Sequence, residues 1–269
     1  MDEFGPVIPE DLDSAASPEV ATFPVVAVGA SAGGLEAFTE FLRAIPPDTG
    51  MAFVLIQHLS REHESLLSSL LAGATSMPVL EVRDGMRIEP DHVYVIPPNT
   101  NMTIQDGALR LVERTEERGQ HMPIDNFLRS LAGEKKSRAI GIILSGTAYD
   151  GVMGIKAVKA EGGITLAQDP RTARFDGMPA ASVASGAVDF VLPVRGIAAE
   201  LTNIARHPLV ATRVTLEEPA GSEVQLGRVF SLLQEITGVD FTHYKHATIK
   251  RRIKRRMVLH RIERMPDYI

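Results

Sequence analysis

The sequence contains no cysteine and no tryptophan, and only four tyrosines among 269 residues. Without thiols there is no disulfide, no thiolate nucleophile and no cysteine-held zinc. The eight histidines form no HExxH or comparably spaced set, so no metal site is expected. No window approaches eighteen uncharged apolar residues, which excludes a membrane-spanning helix. The opening stretch, MDEFGPVIPEDLDSAASPE, is acidic, rich in Pro, Ser and Ala, and lacks the basic start of a secretion signal. Residues 1–22 read as a disordered lead-in or linker, and a cytoplasmic location is the default.

What is present is a well-filled core and a divided charge. Hydrophobic residues make up 44% of the chain, with 22 glycines and 17 prolines to punctuate it. This length accommodates one substantial α/β domain and a smaller unit. The net charge of −6 conceals an asymmetry: from Val224 to Ile269 there are ten Lys and Arg against four Asp and Glu. Two units with different partners are expected, the second favouring something acidic.

From Pro24 to about His207, short apolar runs alternate with helical stretches. The runs Pro24–Val28, Met51–Ile56, Val93–Ile96, Ala139–Leu144, Ile164–Ala167 and Phe190–Leu192 are apolar on both faces, as buried parallel strands are. Helices are predicted over Leu35–Ala44, Arg61–Ala72, Ile124–Ala132, Val152–Ala160, Pro179–Ser185 and Ile197–Arg206, with Ser60 capping the second and Pro123 opening the third. MTIQDGALRLV (Met102–Val112) alternates around Asp106-Gly107, a hairpin signal. The fold class is α/β: a doubly wound, three-layer α/β/α arrangement with a mostly parallel sheet and an antiparallel edge hairpin. Residues 211–223 have a broken pattern and read as a linker after a first domain at 23–210. Residues 224–269 form a small all-helical unit: an apolar stripe over Val224–Thr237, ended by Gly238, and a basic helix over His246–Ile262. The last residues, MPDYI, stop without a finished element, as in a piece of a longer polypeptide.

Three strand ends carry candidate chemistry. The first strand exits through Gly29-Ala30-Ser31-Ala32-Gly33-Gly34, which satisfies G-x-S-x-G and places a hydroxyl beside the free N–H groups of a helix start. From this loop alone a nucleophile, a phosphate loop and a structural turn all stand, although the G-x-G-x-x-G spacing and a Walker lysine are absent. The second strand ends on Gln57-His58. The run AIGIILSGTAYDGVMG ends a strand at Ser145-Gly146-Thr147 and opens a helix at Asp150-Gly151. Each has a plain alternative, a surface histidine or a helix-capping aspartate. Together they deliver a serine, a histidine and an aspartate to one sheet edge, as nucleophilic catalysis requires. The chain order of α/β-hydrolases would instead make Ser31, Asp150 and His207 the set.

The sequence resembles a known family in these motifs. VVAVGASAGG (Val25–Gly34), QHLS (Gln57–Ser60), VYVIPP (Val93–Pro98), HMPIDNFLRSLA (His121–Ala132), LSGTAYDGVMGIKAVKAEGG (Leu144–Gly163), AQDP (Ala167–Pro170) and GMPAASVASGAVDFVLP (Gly177–Pro193) are similar to the catalytic domain of chemotaxis protein-glutamate methylesterases, in the right order. The resemblance implies hydrolysis of glutamyl methyl esters, and deamidation of certain glutamines, on chemoreceptor signalling helices, without a cofactor. It makes Ser31 the nucleophile, His58 the base and Asp150 its orienting aspartate, with Ala32, Gly33, Thr147 and Ala148 at the oxyanion region or rim. Thr147-Ala148 replaces the family's common Met-Gly, Ser31-Ala32 replaces Ser-Thr, and His121-Met122-Pro123 replaces an Arg-Pro opening. Well-known members carry an N-terminal receiver domain; only 22 residues precede Phe23, so no attached receiver is expected.

Phe230–Tyr268 resembles the small helical N-terminal domain of chemotaxis glutamate O-methyltransferases, a receptor-contacting module. The methyltransferase catalytic domain would follow Ile269 in a fusion of the two. Arg251, Arg252, Arg255 and Arg256 are then expected to bind the acidic receptor, and no nucleic-acid partner is expected, since neither a recognition helix nor stacking aromatics accompany them. A reading of another class stands beside this one: a non-catalytic receptor-binding or autoregulatory module that positions the attached methyltransferase.

Overall fold

The computed structural model describes residues 23–57, 67–113, 121–211 and 222–269. The predicted cap at Ser60 and the first half of the predicted Arg61–Ala72 helix lie outside these residues. Ten strands are described: Val25–Ala30 (β1), Ala52–Gln57 (β2), Val79–Glu81 (β3), Met86–Arg87 (β4), Val93–Val95 (β5), Thr100–Gln105 (β6), Ala108–Glu113 (β7), Ala139–Ile143 (β8), Ile164–Gln168 (β9) and Phe190–Leu192 (β10). Seven form one sheet in the order β10-β9-β8-β1-β2-β5-β3, every pair parallel. From β1 the chain builds outward on one side, then crosses to lay β8, β9 and β10 on the other. The crevice between the carboxyl ends of β1 and β8 is therefore the topological switch point, where open α/β sheets place their ligands.

Residue alternation on the central strands explains the layers. Val26 and Val28 of β1 face one side with Phe53 and Leu55 of β2, and bury Phe38, Phe41 and Leu42 of α1 (Gly34–Ala44). The same layer holds α2 (Leu67–Ala72) through Leu67 and Leu71. Val25 and Ala27 face the opposite side with Val54 and Ile56, and bury Phe127, Leu128 and Leu131 of α3 (Pro123–Lys135) with Ile155 and Val158 of α4 (Val152–Ala160). Helix α5 (Gly177–Ala184) adds Met178 to this second layer, and α6 (Val194–Arg206) adds Ile197 and Leu201 to the first. Both faces of β1 are thus dry, which is why its sequence reads as an unbroken apolar run.

The hairpin is present, with Asp106 and Gly107 at positive φ in its turn. It is not an edge of the parallel sheet, however. It pairs with β4 in a separate three-stranded sheet, because Met102, Ile104 and Leu109 pack against the α3 layer rather than extending a ladder.

After α7 (Pro208–Ala211), the C-terminal helices are α8 (Ser222–Thr237), α9 (His246–Leu259) and α10 (Met265–Tyr268). MPDY thus forms a last helical turn where none was predicted. Leu226, Val229, Phe230, Ile253 and Met257 make a small core of their own. Val258, one position on, turns instead into the core of the main sheet. Around it, the Arg255 guanidinium pairs with Asp189 and donates to the Gly163 carbonyl at 2.7 Å. Lys159 shares Asp189 at 3.4 Å, Arg251 approaches Glu161 at 3.6 Å and Arg261 reaches Glu200 at 3.1 Å. Glu161 and Gly163 precede β9 and Asp189 precedes β10, so α9 lies on the amino edge of the sheet. The opposite, carboxyl edge is the one that carries Ser31.

Candidate active site

Ser31 follows directly on β1 and sits in a turn closed by Gly34 N–H donating to its carbonyl at 2.9 Å. Gly33, at φ 72, occupies the cap position before α1, in the left-handed region that disfavours a side chain. A Cβ there would also lie 2.9 Å from the Ser145 hydroxyl and 3.3 Å from Phe175. The glycines of G-x-S-x-G-G therefore let the turn bury itself against the β8 loop. The Ser31 N–H donates to the Ser145 carbonyl at 3.0 Å, tying the two loops at the switch point.

Ser145 is the buried hub of this junction, with 1% exposure. Its hydroxyl donates to the Ala32 carbonyl at 2.9 Å and accepts from Phe175 N–H at 3.0 Å. Its own N–H donates to Gln168 Oε1 at 2.9 Å, and Gln168 Nε2 is held by the Thr172 carbonyl at 3.1 Å. Gly146 exchanges backbone bonds with Phe175 and Met178, both at 2.9 Å. A Cβ on Gly146 would collide with the Met178 side chain and approach Ser31 Cβ to 3.0 Å. Four chain segments thus meet around Ser31: the β1 turn, the β8 loop, the end of β9, and the stretch that opens α5.

Asp150 is 1% exposed and lies in the same β8 loop. Its two carboxylate oxygens accept from Ile124 N–H at 3.0 Å and Asp125 N–H at 2.9 Å, in the first turn of α3. Asp125 in turn accepts from Gly154 N–H in the first turn of α4 at 2.6 Å. Each aspartate thereby caps the helix that the other belongs to or precedes, satisfying N–H groups that a helix start leaves open. Burial, and secondarily the nearby Asp150 charge, hold the Asp125 carboxyl above its ordinary range despite these bonds. Between Ser145 and Asp150, Thr147 and Ala148 are exposed, and Ala148 takes φ 65, a left-handed conformation unusual for a residue with a Cβ.

β1 is flanked by β8 and β2, with Ala30 opposite Gln57, so the carboxyl end of β2 lies at the same edge beside Ser31. Gln57 Nε2 is 3.5 Å from the Ser31 carbonyl. His58 itself lies outside the described residues. His207, the alternative base, follows α6 and is buried, with its Nδ1 accepting from Leu209 N–H at 3.2 Å. Leu209 shares a cavity with Pro24, at the amino end of β1, so His207 belongs to the opposite edge and cannot complete a set with Ser31. The structure brings Ser31, Ala32, Gly33, Thr147, Ala148 and Asp150 to one edge.

It also adds residues that the sequence reading passed over: Ser145 as the junction, Gln168 and Phe175 as its supports, and Asp125 as the support of Asp150. Gln168 and Asp125 carried one signal, a polar residue on an apolar strand end or in an apolar helix turn; Phe175 carried none. The four basic-helix arginines divide. Arg251 and Arg255 are committed to carboxylates of the sheet unit, whereas Arg252 and Arg256 are exposed. The reason is helical spacing: 251 and 255 share the face that carries Val258 into the core.

Sheet order, switch point and serine turn together define a doubly wound α/β protein with a serine–aspartate edge site. Comparison with known proteins sharpens this class. Residues 26–201 match the family model described as CheB methylesterase, and residues 225–269 match the one described as CheR methyltransferase, all-alpha domain. A protein-glutamate methylesterase/protein-glutamine glutaminase 2 of Burkholderia pseudomallei is 35% identical over 195 residues, 72% of this chain and 57% of that protein. An uncharacterized 104.1 kDa protein of Rhodobacter capsulatus is 37% identical over 224 residues, 76% of this chain but 23% of its own length. The crystal structure of the Thermotoga maritima CheB methylesterase catalytic domain superposes with a TM-score of 0.62 at 27% identity, covering 68% of this chain and 98% of that one. The chain belongs to the CheB methylesterase family and carries a CheR-type all-alpha domain after it. It spans less than two thirds of the length of either relative.

Proposed function

We propose that this chain is a serine-type protein-glutamate methylesterase, which hydrolyses glutamyl methyl esters, and deamidates glutamines, on chemoreceptor helices in the cytoplasm. The observation that carries the reading is the hydrogen-bonded junction of the Ser31 turn with the Ser145–Asp150 loop at the switch point, next to the strand end that His58 follows. Ser31 Oγ attacks the ester carbonyl while His58 takes its proton; methanol leaves as His58 returns the proton. Water then attacks the acyl-enzyme with His58 again as base, releasing the glutamate carboxylate. Asp150, held in place by two N–H groups of α3, orients the imidazole and stabilises its cation. Backbone N–H groups at the start of α1, beside Gly33, and in the Thr147-Ala148 stretch stabilise the oxyanion.

The all-alpha unit contributes attraction to acidic receptor segments through the exposed Arg252 and Arg256, with a covalently linked methyltransferase as its partner in a longer chain. Methanol release from a methylated chemoreceptor fragment tests the chemistry. Ser31→Ala and His58→Gln are each expected to lower it by about 10⁴-fold or more, with an unchanged circular dichroism spectrum, whereas His207→Gln leaves it near the starting rate. Full turnover in Ser31→Ala would show that Ser31 is not the nucleophile, whereas absence of methanol release from the unaltered chain would leave the non-catalytic, receptor-binding module as the reading.

A further inference from the structure

The amino edge of the sheet holds a second feature that the esterase reading does not use. Where α9 lies over the ends of β1, β8 and β9, it leaves a cavity of about 130 Å³. Its walls include Ile140, Ile164 and Ile204, each no more than 5% exposed, and its cations are Arg138, Lys254 and Arg255. Among the described residues no carboxylate lines it. Arg255 is already satisfied by Asp189 and the Gly163 carbonyl. Arg138 is different: it is half-buried, and among the described residues no carboxylate or hydrogen-bond acceptor meets its guanidinium.

Burial pulls the Arg138 guanidinium below its ordinary range. Burial, and to a smaller degree the Arg138 charge, depress the ammonium of the neighbouring buried Lys135. A guanidinium stays protonated in proteins, and a charge partly withdrawn from water is normally paired. An anion is the chemistry that pairs with this charge, and the apolar walls beside it suit an apolar body. We propose that this seam binds a small amphipathic anion, a carboxylate or phosphate on a ring or short alkyl group, with the headgroup on Arg138 and Lys254 and the body against the three isoleucines. The cavity is slightly smaller than the apolar one of about 150 Å³ that accommodates benzene, so it takes a small ring or short alkyl body with the headgroup at its rim, beside the cations. Because the walls come from both the sheet unit and α9, an occupant bridges the two units and stabilises their docked arrangement by mass action.

Phenyl phosphate, titrated into the whole chain carrying ¹³C-labelled isoleucine methyls, tests this. The Ile140, Ile164 and Ile204 methyl signals are expected to shift saturably, with binding at least tenfold tighter than for phenol or for inorganic phosphate. Arg138→Gln should weaken phenyl phosphate at least tenfold while leaving phenol unchanged, and Arg138→Lys should keep part of the affinity. The phenol and phosphate arms use the unaltered chain, so they decide the matter even if a variant folds poorly. Absence of saturable shifts, equal binding to Arg138→Gln, or equal binding of inorganic phosphate would each overturn the site.

Discussion

The two edges of one parallel sheet have been put to opposite uses. At the carboxyl edge, loops are stitched to one another by backbone bonds and a buried serine, leaving Ser31 at the switch point with intermediate exposure. At the amino edge, carboxylates before β9 and β10 receive arginines from a separate helical unit. The first edge uses hydrogen bonds to backbone groups, those of the Asp150 and Asp125 carboxylates included, and glycine contacts, which fix a geometry. The second uses charges, which fix a partner. A doubly wound sheet makes this division available, because its strands all point one way and its two ends are chemically independent. The CheR-type all-alpha unit therefore docks, among the described residues, at the edge opposite Ser31.

The largest stability effect that would break this contrast lies at the amino edge. Asp189→Ala removes a buried carboxylate that holds Arg255, Lys159 and the Thr165 hydroxyl and N–H. Removing one partner of such a buried pair costs about 3–5 kcal/mol. Urea unfolding should show that loss, whereas Arg261→Gln, which breaks an exposed pair with Glu200, should cost ~0.5 kcal/mol or less. Equal effects would mean that the docking rests on apolar contact at Val258 and not on the ion pairs.

Next in size is a change at the carboxyl edge. Gly146→Val places a branched side chain against Met178 and Ser31. Overpacking of this kind costs about 1–3 kcal/mol. Methanol release should fall much further than stability does, because the Ser31 turn is displaced. A variant that loses stability alone would show that the junction is only structural.

The smallest effect concerns Ala148, whose left-handed backbone carries a strain of about 1–2 kcal/mol that glycine would relieve. Ala148→Gly regains flexibility in the unfolded chain, so the net gain should be about 0.5–1 kcal/mol, read as a higher urea midpoint. Destabilisation by this change would show that the loop is held by contacts of the alanine methyl.

Much of this was legible in the sequence, for identifiable reasons. β1, β2, β8 and β9 announce themselves because burial on both faces demands continuous apolar residues, and β10 was placed at its observed bounds, Phe190–Leu192. The short edge strand Val79–Glu81 was missed because only its first residue is better than exposed, so no pattern marks it. The hairpin was legible from Asp106-Gly107, but its attachment was not, since the side chains that decide it answer to α3, a distant segment. At the site, the serine turn and Asp150 were readable from local motifs. The roles of Ser145, Phe175 and Asp125 were not, because each acts through backbone groups 25 or more residues away, whose positions only the folded topology supplies. The division of the basic arginines was hidden for the same reason: four equivalent charges on a helix become two pairs only when the acidic edge is in place.

The separation of the two edges is tested most directly by one assay of methanol release from a short peptide bearing a glutamyl methyl ester, run side by side on Ser31→Ala and Asp189→Ala at a temperature where both are folded. Ser31→Ala should release none, and Asp189→Ala should stay within about twofold of the unaltered chain, because its lesion lies at the opposite end of the strands. Methanol from Ser31→Ala, or a loss in Asp189→Ala as complete as that in Ser31→Ala, would contradict it.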